Sequence, residues 1–472
     1  ETIMGGTSFA GTLPVTSGPH YLQGMGETHI TPGKMRWMSS TQLALDFQRE
    51  LSSAIQDTAL VASPAGDYEE DMMLDAVKNQ ANLIENGFKR IDDIAQSGIT
   101  LGAYPGCRVL VAKNGNVVYD KAFGTLDWKA KQKVGLQTIY DLASITKVAG
   151  STLAAMKLVD DSLLDINKTL GDYLPIPANN EYSKICIKNM LSHCAGLTPW
   201  IPFYQQSMEN GELKPGIYTN KADATHQMEV AKGIYILDSY RDSIFNAILH
   251  TPLSNDKSYK YSDLGYYFIQ RIVEKQTGKS LDVYLKENFY EPLGLSTMGY
   301  TPLNKFEVTR IAPTEKDEVF RKQQIQGHVH DQGAAMMGGV AGHAGLFSNA
   351  QDLAVVMQML MDEGVYNGQR YLTAETIRLF NTRHFDGNRR GLGFDKPSLT
   401  PGHGSTCREA DTSSFGHTGF TGTMCWADPK NGLVYVFLSN RVNTDAENKK
   451  LQELNIRTEI QKEMYRVLGP GK

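Results

Sequence analysis

Apolar residues recur at four-residue steps over residues 40–61, STQLALDFQRELSSAIQDTALV, at Leu43, Phe47, Leu51 and Ile55. That spacing predicts an amphipathic helix. ASPAGDY breaks the pattern, and a second helix is predicted over 70–98, with Met73, Val77, Leu83, Ile84 and Ile91 on its apolar positions. The period then drops to two. RVLVA and VVYDKAF flank KNGN, whose Asn-Gly pair favours a tight hairpin turn. A second hairpin, TMCWAD and LVYVFLSN around PKNG, lies near the other end. It is followed by a helix from about Ala446 to Leu468, with Leu451, Leu454, Ile460, Met464 and Val467 on one face and Gly469-Pro470 as its stop.

The chain thus begins helix then hairpin and ends hairpin then helix. This order predicts an α/β (α+β) fold, with an antiparallel sheet flanked by N- and C-terminal helices. Between about 150 and 375 the helical period dominates, in STLAAMKLVDDSLLDI, TGKSLDVYLKENFYEPLGL and NAQDLAVVMQMLMDEG, so a large helical lobe interrupts the sheet domain. Ser348 and Gln351 stand at capping-box spacing before the last of these. Residues 1–38 carry no helical period and are too few for a core of their own. The expected division is 1–38, a helical linker over 39–74, and a main domain over 75–472. A cleft between sheet and helical lobe is where a small-molecule site is expected.

Composition changes this picture little. The 472 residues are 41% hydrophobic and 21% charged, ordinary globular proportions for two to four structural units. A net charge of -5, with no basic stripe, argues against a nucleic-acid partner. The five cysteines, Cys107, Cys186, Cys194, Cys407 and Cys425, form no CxxC pair and no zinc spacing, and read as buried thiols. No apolar run approaches the ~20 residues needed to span a bilayer. The first residue is Glu1, which points to a removed signal peptide or an excised fragment.

IYDLASITKVAG, residues 139–150, carries the candidate chemistry. Ser144 and Lys147 are three residues apart where an apolar run turns helical, so both side chains lie on one helix face. A serine hydroxyl needs an adjacent base and an oxyanion hole to become a nucleophile. A desolvated, neutral lysine at a helix N-terminus can take its proton. Ser254 and Lys257 share the spacing, but PLSNDKSYK reads as loop. Two further elements fit a serine site: Tyr261-Ser262-Asp263 in YKYSDLGYY, and His417-Thr418-Gly419 in SSFGHTGFTGTMCW. GHVHDQG places His328 and His330 on one side of a predicted strand, near Asp331 and His343. These read as hydrogen-bonded structural residues rather than metal ligands. No cofactor and no metal is expected.

SITK, YSD and HTG, in this order, resemble the serine β-lactamase and penicillin-binding-protein superfamily, in particular its class C β-lactamase, D-aminopeptidase and esterase branch. NMLSHCAGLTPW, EPLGLSTM and GGVAGHAGLFSNAQDL are similar to further stretches of that family, and the resemblance covers about residues 75–472. It implies a β-lactamase/transpeptidase-like fold with the site between sheet and helical lobe. Residue by residue it implies Ser144 as the nucleophile that forms an acyl-enzyme, Lys147 as general base, and Tyr261 as proton shuttle to the leaving group. Asp263 would hydrogen-bond Lys147 and substrate, and His417 would face the substrate's polar end. The oxyanion hole would be the backbone N–H groups of Ser144 and Phe420, with Thr418, Gly419 and Phe420 against the substrate. Asp263 stands where asparagine is commoner and His417 where lysine is commoner; both weaken efficient β-lactam hydrolysis and leave esterase, amidase and peptidase chemistry open. IMGG…FAGTLPVTSGPHYLQGMG resembles the C-terminal end of family-3 glycoside hydrolases, including β-N-acetylglucosaminidases. That resemblance implies a fusion protein working in cell-wall turnover, in the bacterial periplasm or otherwise exported. The expected function is a serine acyl hydrolase acting on ester, amide or peptide bonds of a small-molecule or peptide substrate. A catalytically silent cell-wall-peptide-binding module, or an accessory domain of a β-N-acetylglucosaminidase, is the alternative.

Overall fold

The computed structural model of the chain describes residues 35–56, 67–129, 131–400 and 403–469. The stretch that resembles a family-3 glycoside hydrolase lies outside them, up to residue 34. Six strands form the main sheet: β1 (Arg36–Trp37), β2 (Gly106–Lys113), β3 (Asn116–Gly124), β4 (Phe415–Thr418), β5 (Met424–Asp428) and β6 (Leu433–Ser439). Their spatial order is β1-β3-β2-β6-β5-β4, antiparallel except where β1 joins β3. The first and last hairpins of the chain therefore meet at the centre of one sheet, through β2 and β6. The β2–β3 turn has positive φ at both Asn114 (48°) and Gly115 (76°), the type I′ geometry that Asn-Gly favours.

β2, β5 and β6 are buried along their whole lengths because helices cover both faces. On one face lie α1 (Ser40–Gln56), α2 (Asp67–Thr100) and the closing helix α6 (Ile456–Leu468). There Ile84, Phe88, Ile91, Ile460 and Met464 pack with Val109, Val111, Trp426, Tyr435 and Phe437. The alternate residues Leu110, Ala112, Cys425, Ala427, Val434 and Val436 point to the other face and join the larger core. That core holds α3 (Leu153–Asp160), α4 (Leu264–Thr277) and α5 (Ala350–Met361).

Several elements differ from the sequence reading. The closing helix is two pieces, Lys450–Glu453 and α6, separated by Asn455 in the left-handed region at φ 52°. α5 is capped one residue later than the Ser348/Gln351 spacing predicts: the Asn349 side chain accepts from the Asp352 N–H at 2.9 Å. Ser348 is instead committed to a two-residue strand, Phe347–Ser348, paired with Tyr140–Asp141. The middle lobe is less helical than its period suggests, with short strands such as Met228–Ala231 and Ile234–Ile236 between its helices. His328 and His330 are not on a strand, because the chain bends at Gly327 (φ 76°). His328 reaches Glu229 and His330 reaches Glu315, each at 3.3 Å. Among the described residues no three potential metal ligands cluster, and no helix is long and apolar enough to cross a membrane. All five cysteines are free, and burial pushes the Cys107, Cys407 and Cys425 thiols up to about 12, which leaves them inert.

Candidate active site

Ser144 sits at the exit of the short strand Tyr140–Asp141. The Asp141 carboxylate accepts from the Ala143 N–H at 2.8 Å, which holds Ala143 at φ 48° and turns the chain into a helix from Ile145. The first turns of that helix are widened to a π-helix over Lys147–Thr152 before α3 begins, a local irregularity common at functional sites. Ser144 is half-buried at the cleft, whereas Lys147 is fully enclosed. The Lys147 ammonium has three partners: Ser144 Oγ at 2.8 Å, the His343 carbonyl at 3.0 Å and Asp263 Oδ1 at 2.8 Å. The first two accept hydrogen bonds from the amine, and Asp263 is its ion-pair partner.

The resting charge of Lys147 therefore differs from the neutral lysine that the helix N-terminus suggests. Burial alone would lower its pKa, but the Asp263 carboxylate and the Tyr261 phenol outweigh burial and hold it well above the usual lysine range.

Tyr261 and Asp263 come from the segment that leads into α4. The Tyr261 hydroxyl donates to Ser144 Oγ at 2.9 Å. The stretch NMLSHCAGLTPW fixes this segment from below. Asp263 N–H donates to the Pro199 carbonyl at 2.9 Å, Ser262 Oγ to the Thr198 carbonyl at 2.6 Å, and Ser262 N–H to His193 Nδ1 at 3.2 Å. The Tyr261 ring lies 4.7 Å from that of His193, with the Lys147 amine and the Arg390 guanidinium each 5.3 Å from its centroid. Burial raises the Tyr261 pKa, and the Lys147 charge pulls against it. The short Ser254–Lys257 repeat of the motif lies elsewhere: Lys257 donates to the Ala195 carbonyl at 3.1 Å.

The third side of the site is the turn between β4 and β5. Thr418 ends β4 opposite Met424. At Gly419 an added Cβ would lie 2.4 Å from the Leu142 carbonyl and 2.1 Å from Thr423 Oγ1, so only glycine fits. Thr421 Oγ1 donates to the Asp141 carbonyl at 2.7 Å and Thr423 Oγ1 to the Leu142 carbonyl at 3.0 Å. The turn is thus fastened to the backbone just before Ser144. Among the described residues, neither the Ser144 nor the Phe420 N–H has an acceptor within the protein. Two such free donors, one at the start of the helix and one in the β4–β5 turn, are what an oxyanion requires. The Phe420 ring is exposed, 4.4 Å from the Arg441 guanidinium and 5.5 Å from the His330 ring.

His417 is buried, with Nδ1 2.7 Å from the Thr418 carbonyl, so Nδ1 carries the proton and Nε2 is a lone acceptor. Burial, then the Arg390 and Lys147 charges, push its pKa down to about 3. His193 is lowered for the same first reason. A folded-state pKa below the unfolded value of about 6.5 means that the stability contributed by neutral His417 is present above pH 6.5 and is lost as pH falls toward 3. Thermal melts are expected to fall across that acid window, with up to about 1.4 kcal/mol lost per pH unit for each such histidine. His417→Gln is expected to flatten the slope; an unchanged slope would show that His417 does not titrate with unfolding.

Comparison with known proteins shows the family of the chain. Residues 91–458 match the family described as Beta-lactamase. A protein of Escherichia coli (strain K12) named "Putative D-alanyl-D-alanine carboxypeptidase" is 34% identical over 369 residues, 72% of this chain and 79% of the relative. A protein of the same name from Salmonella schwarzengrund is 32% identical over 417 residues, 81% of this chain and 89% of that one. Among solved structures, a penicillin-binding protein homologue from Caulobacter crescentus and EstCE1, "a hydrolase with promiscuous acyltransferase activity", each superpose with a TM-score of 0.57 at 19% identity. Each alignment covers 81% of this chain, and 98% and 99% of those chains respectively. The chain belongs to the beta-lactamase family, whose fold is that of serine hydrolases with carboxypeptidase-like and esterase members.

Three participants were not assigned to the site from the sequence. The His343 carbonyl is a backbone group, which no residue pattern announces. Arg390 lies in RRGLGFD, outside any periodic element, and His193 was visible only as part of a similar stretch.

Proposed function

We propose that the protein is a serine acyl hydrolase that forms an acyl-enzyme at Ser144. The observation that carries this is the convergence of a hydroxyl, an amine and a phenol: Ser144 Oγ is 2.8 Å from Lys147 Nζ and 2.9 Å from the Tyr261 hydroxyl. Lys147 rests as an ammonium. Transfer of one of its protons across the 2.8 Å contact to Asp263, followed by rotation of the amine about Cε–Nζ, turns a lone pair toward Ser144. As Ser144 Oγ bonds to the acyl carbon, its own proton passes to that amine, and the carbonyl oxygen takes up charge between the Ser144 and Phe420 N–H groups. Tyr261 gives its proton to the leaving group as the acyl bond breaks, and regains one from the Lys147–Asp263 pair. Water then enters, loses a proton to the same groups and releases the acid, so one water is consumed per turnover and no proton is left over.

Within this class we favour cleavage at the D-alanyl end of cell-wall-type peptides. The support is the name shared by the relatives at 34% and 32% identity. An extracytoplasmic setting in cell-wall turnover follows from the same shared name. Small neutral esters are the second reading, favoured by one feature: neutral His417 supplies no fixed cation where the family's commoner lysine would grip a carboxylate.

The discriminating experiment measures release of D-alanine from an acylated Lys-D-Ala-D-Ala peptide beside release of p-nitrophenol from short esters, using wild type and Ser144→Ala. D-Alanine release that depends on Ser144 supports the first reading. Ester turnover without D-alanine release shifts the assignment to an esterase. Failure of both would leave the silent binding module.

A further inference from the structure

We infer that Asp331 and His343 form a positioning pair for Lys147, and so set the rate at which Ser144 is acylated. The inference rests on the acyl-enzyme reading above. His343 lies in the glycine-rich stretch GGVAGHAG, and its carbonyl accepts a hydrogen bond from the Lys147 ammonium at 3.0 Å. Its ring is pinned separately. His343 Nε2 lies 2.8 Å from Asp331 Oδ1, so Nε2 carries a proton and donates to the carboxylate. The ring also stacks on Tyr267, with centroids 4.5 Å apart and planes at 23°, and the Tyr267 hydroxyl is 3.4 Å from Nε2. Nδ1 is buried without a partner among the described residues.

The backbone on either side is held as firmly. Ser151 Oγ donates to the Gly342 carbonyl at 2.6 Å, and the Gly342 N–H donates to Gln270 Oε1 at 3.2 Å. A Cβ at Gly342 would sit 2.1 Å from the Tyr266 carbonyl, which places this backbone directly against α4. Downstream, the Leu346 N–H donates to Thr146 Oγ1 at 3.1 Å, and its carbonyl accepts from Leu142 N–H at 3.0 Å. Peptides 342 and 346 are therefore tied to the helix of Ser144 and Lys147 and to α4. Between them the direction of the His343 carbonyl depends on the torsions of His343 itself. The Asp331 contact is what fixes those torsions from the side-chain end. Asp331 is suited to the task because it is itself fixed: its carboxylate accepts from Ala334 N–H at 2.7 Å, and burial opposes its charge while His343 holds it well below the usual carboxylate range.

A carbonyl swung away would leave one N–H of Lys147 unpaired in a dry site, which costs free energy and lets the amine drift from Ser144 Oγ. Positioning errors of about 1 Å cost on the order of 100-fold in rate. The histidines of this region, read as structural from sequence, thus divide: His328 and His330 pair with acids away from the amine, whereas His343 acts on it through its own main chain.

The test compares wild type, Asp331→Ser, His343→Ala and His343→Gln. Serine keeps an N-cap oxygen for the Ala334 N–H but is too short to hold His343 Nε2 as well, so that variant tests the pair even if His343→Ala fails to fold. Active sites are counted by end-point labelling with a fluorophosphonate, and the acylation rate per labelled site is measured with a p-nitrophenyl ester. Asp331→Ser and His343→Ala are expected to acylate at least tenfold more slowly per site with KM within twofold. His343→Gln, which can still donate to Asp331, is expected to recover to within threefold of wild type. Rates per site unchanged in Asp331→Ser, or His343→Gln as slow as His343→Ala, would overturn the inference. Absence of labelling in wild type would instead overturn the acyl-enzyme reading itself.

Discussion

Replacing Ser144 with alanine is expected to lower ester and peptide turnover by about 10⁴-fold or more, while the melting temperature stays within a few degrees of wild type. The rate loss follows from chemistry: Ser144 Oγ is the hydroxyl that both Lys147 and Tyr261 contact. The small effect on stability follows from position. Ser144 is half-buried, so water replaces Oγ, and Lys147 keeps Asp263 and the His343 carbonyl. Steady-state rates and thermal melts of both proteins check this. Turnover retained within tenfold would mean that the serine is not the nucleophile.

Lys147→Met is expected to cut the acylation rate by about 10³-fold, within the range that general acid–base groups contribute. Methionine matches the stem of lysine in bulk and removes only the amine. The stability cost is expected to lie near the roughly 3–5 kcal/mol typical when one partner of a buried pair is lost, because the Asp263 Oδ1 that faces the amine is itself buried. Pre-steady-state acylation by a fluorescent penicillin or a p-nitrophenyl ester separates this effect from deacylation. A methionine variant that acylates at the wild-type rate would assign the base role to Tyr261 alone.

The sheet was legible because its strands announce themselves twice. Each hairpin has alternating or continuous apolar residues and a Gly-containing turn, and Asn114-Gly115 adopts the two positive φ values its chemistry favours. The helices were legible in existence and less so at their ends. Asn455 breaks the last helix by a tolerated left-handed turn, and tertiary pairing of Phe347–Ser348 moves the α5 cap to Asn349. Tyr140–Asp141 and the β4–β5 turn owe their positions to long-range contacts that no local period records. Of the site, the structure brings the motif residues Ser144, Lys147, Tyr261 and Asp263 together. The charge of Lys147 was left open by the sequence, because it turns on whether Asp263, 116 positions away, is ionised, which no spacing settles. For the same reason the His343 carbonyl and the Arg390 guanidinium beside Tyr261 emerge only from the folded chain.

The most direct measurement of the central claim is peptide mapping, by mass spectrometry, of the adduct formed with a fluorophosphonate. A single adduct on the peptide containing Ser144, absent from Ser144→Ala and formed at least a hundredfold more slowly in Lys147→Met, is the expected result. An adduct at another residue, or one that forms undiminished in Ser144→Ala, would contradict the account.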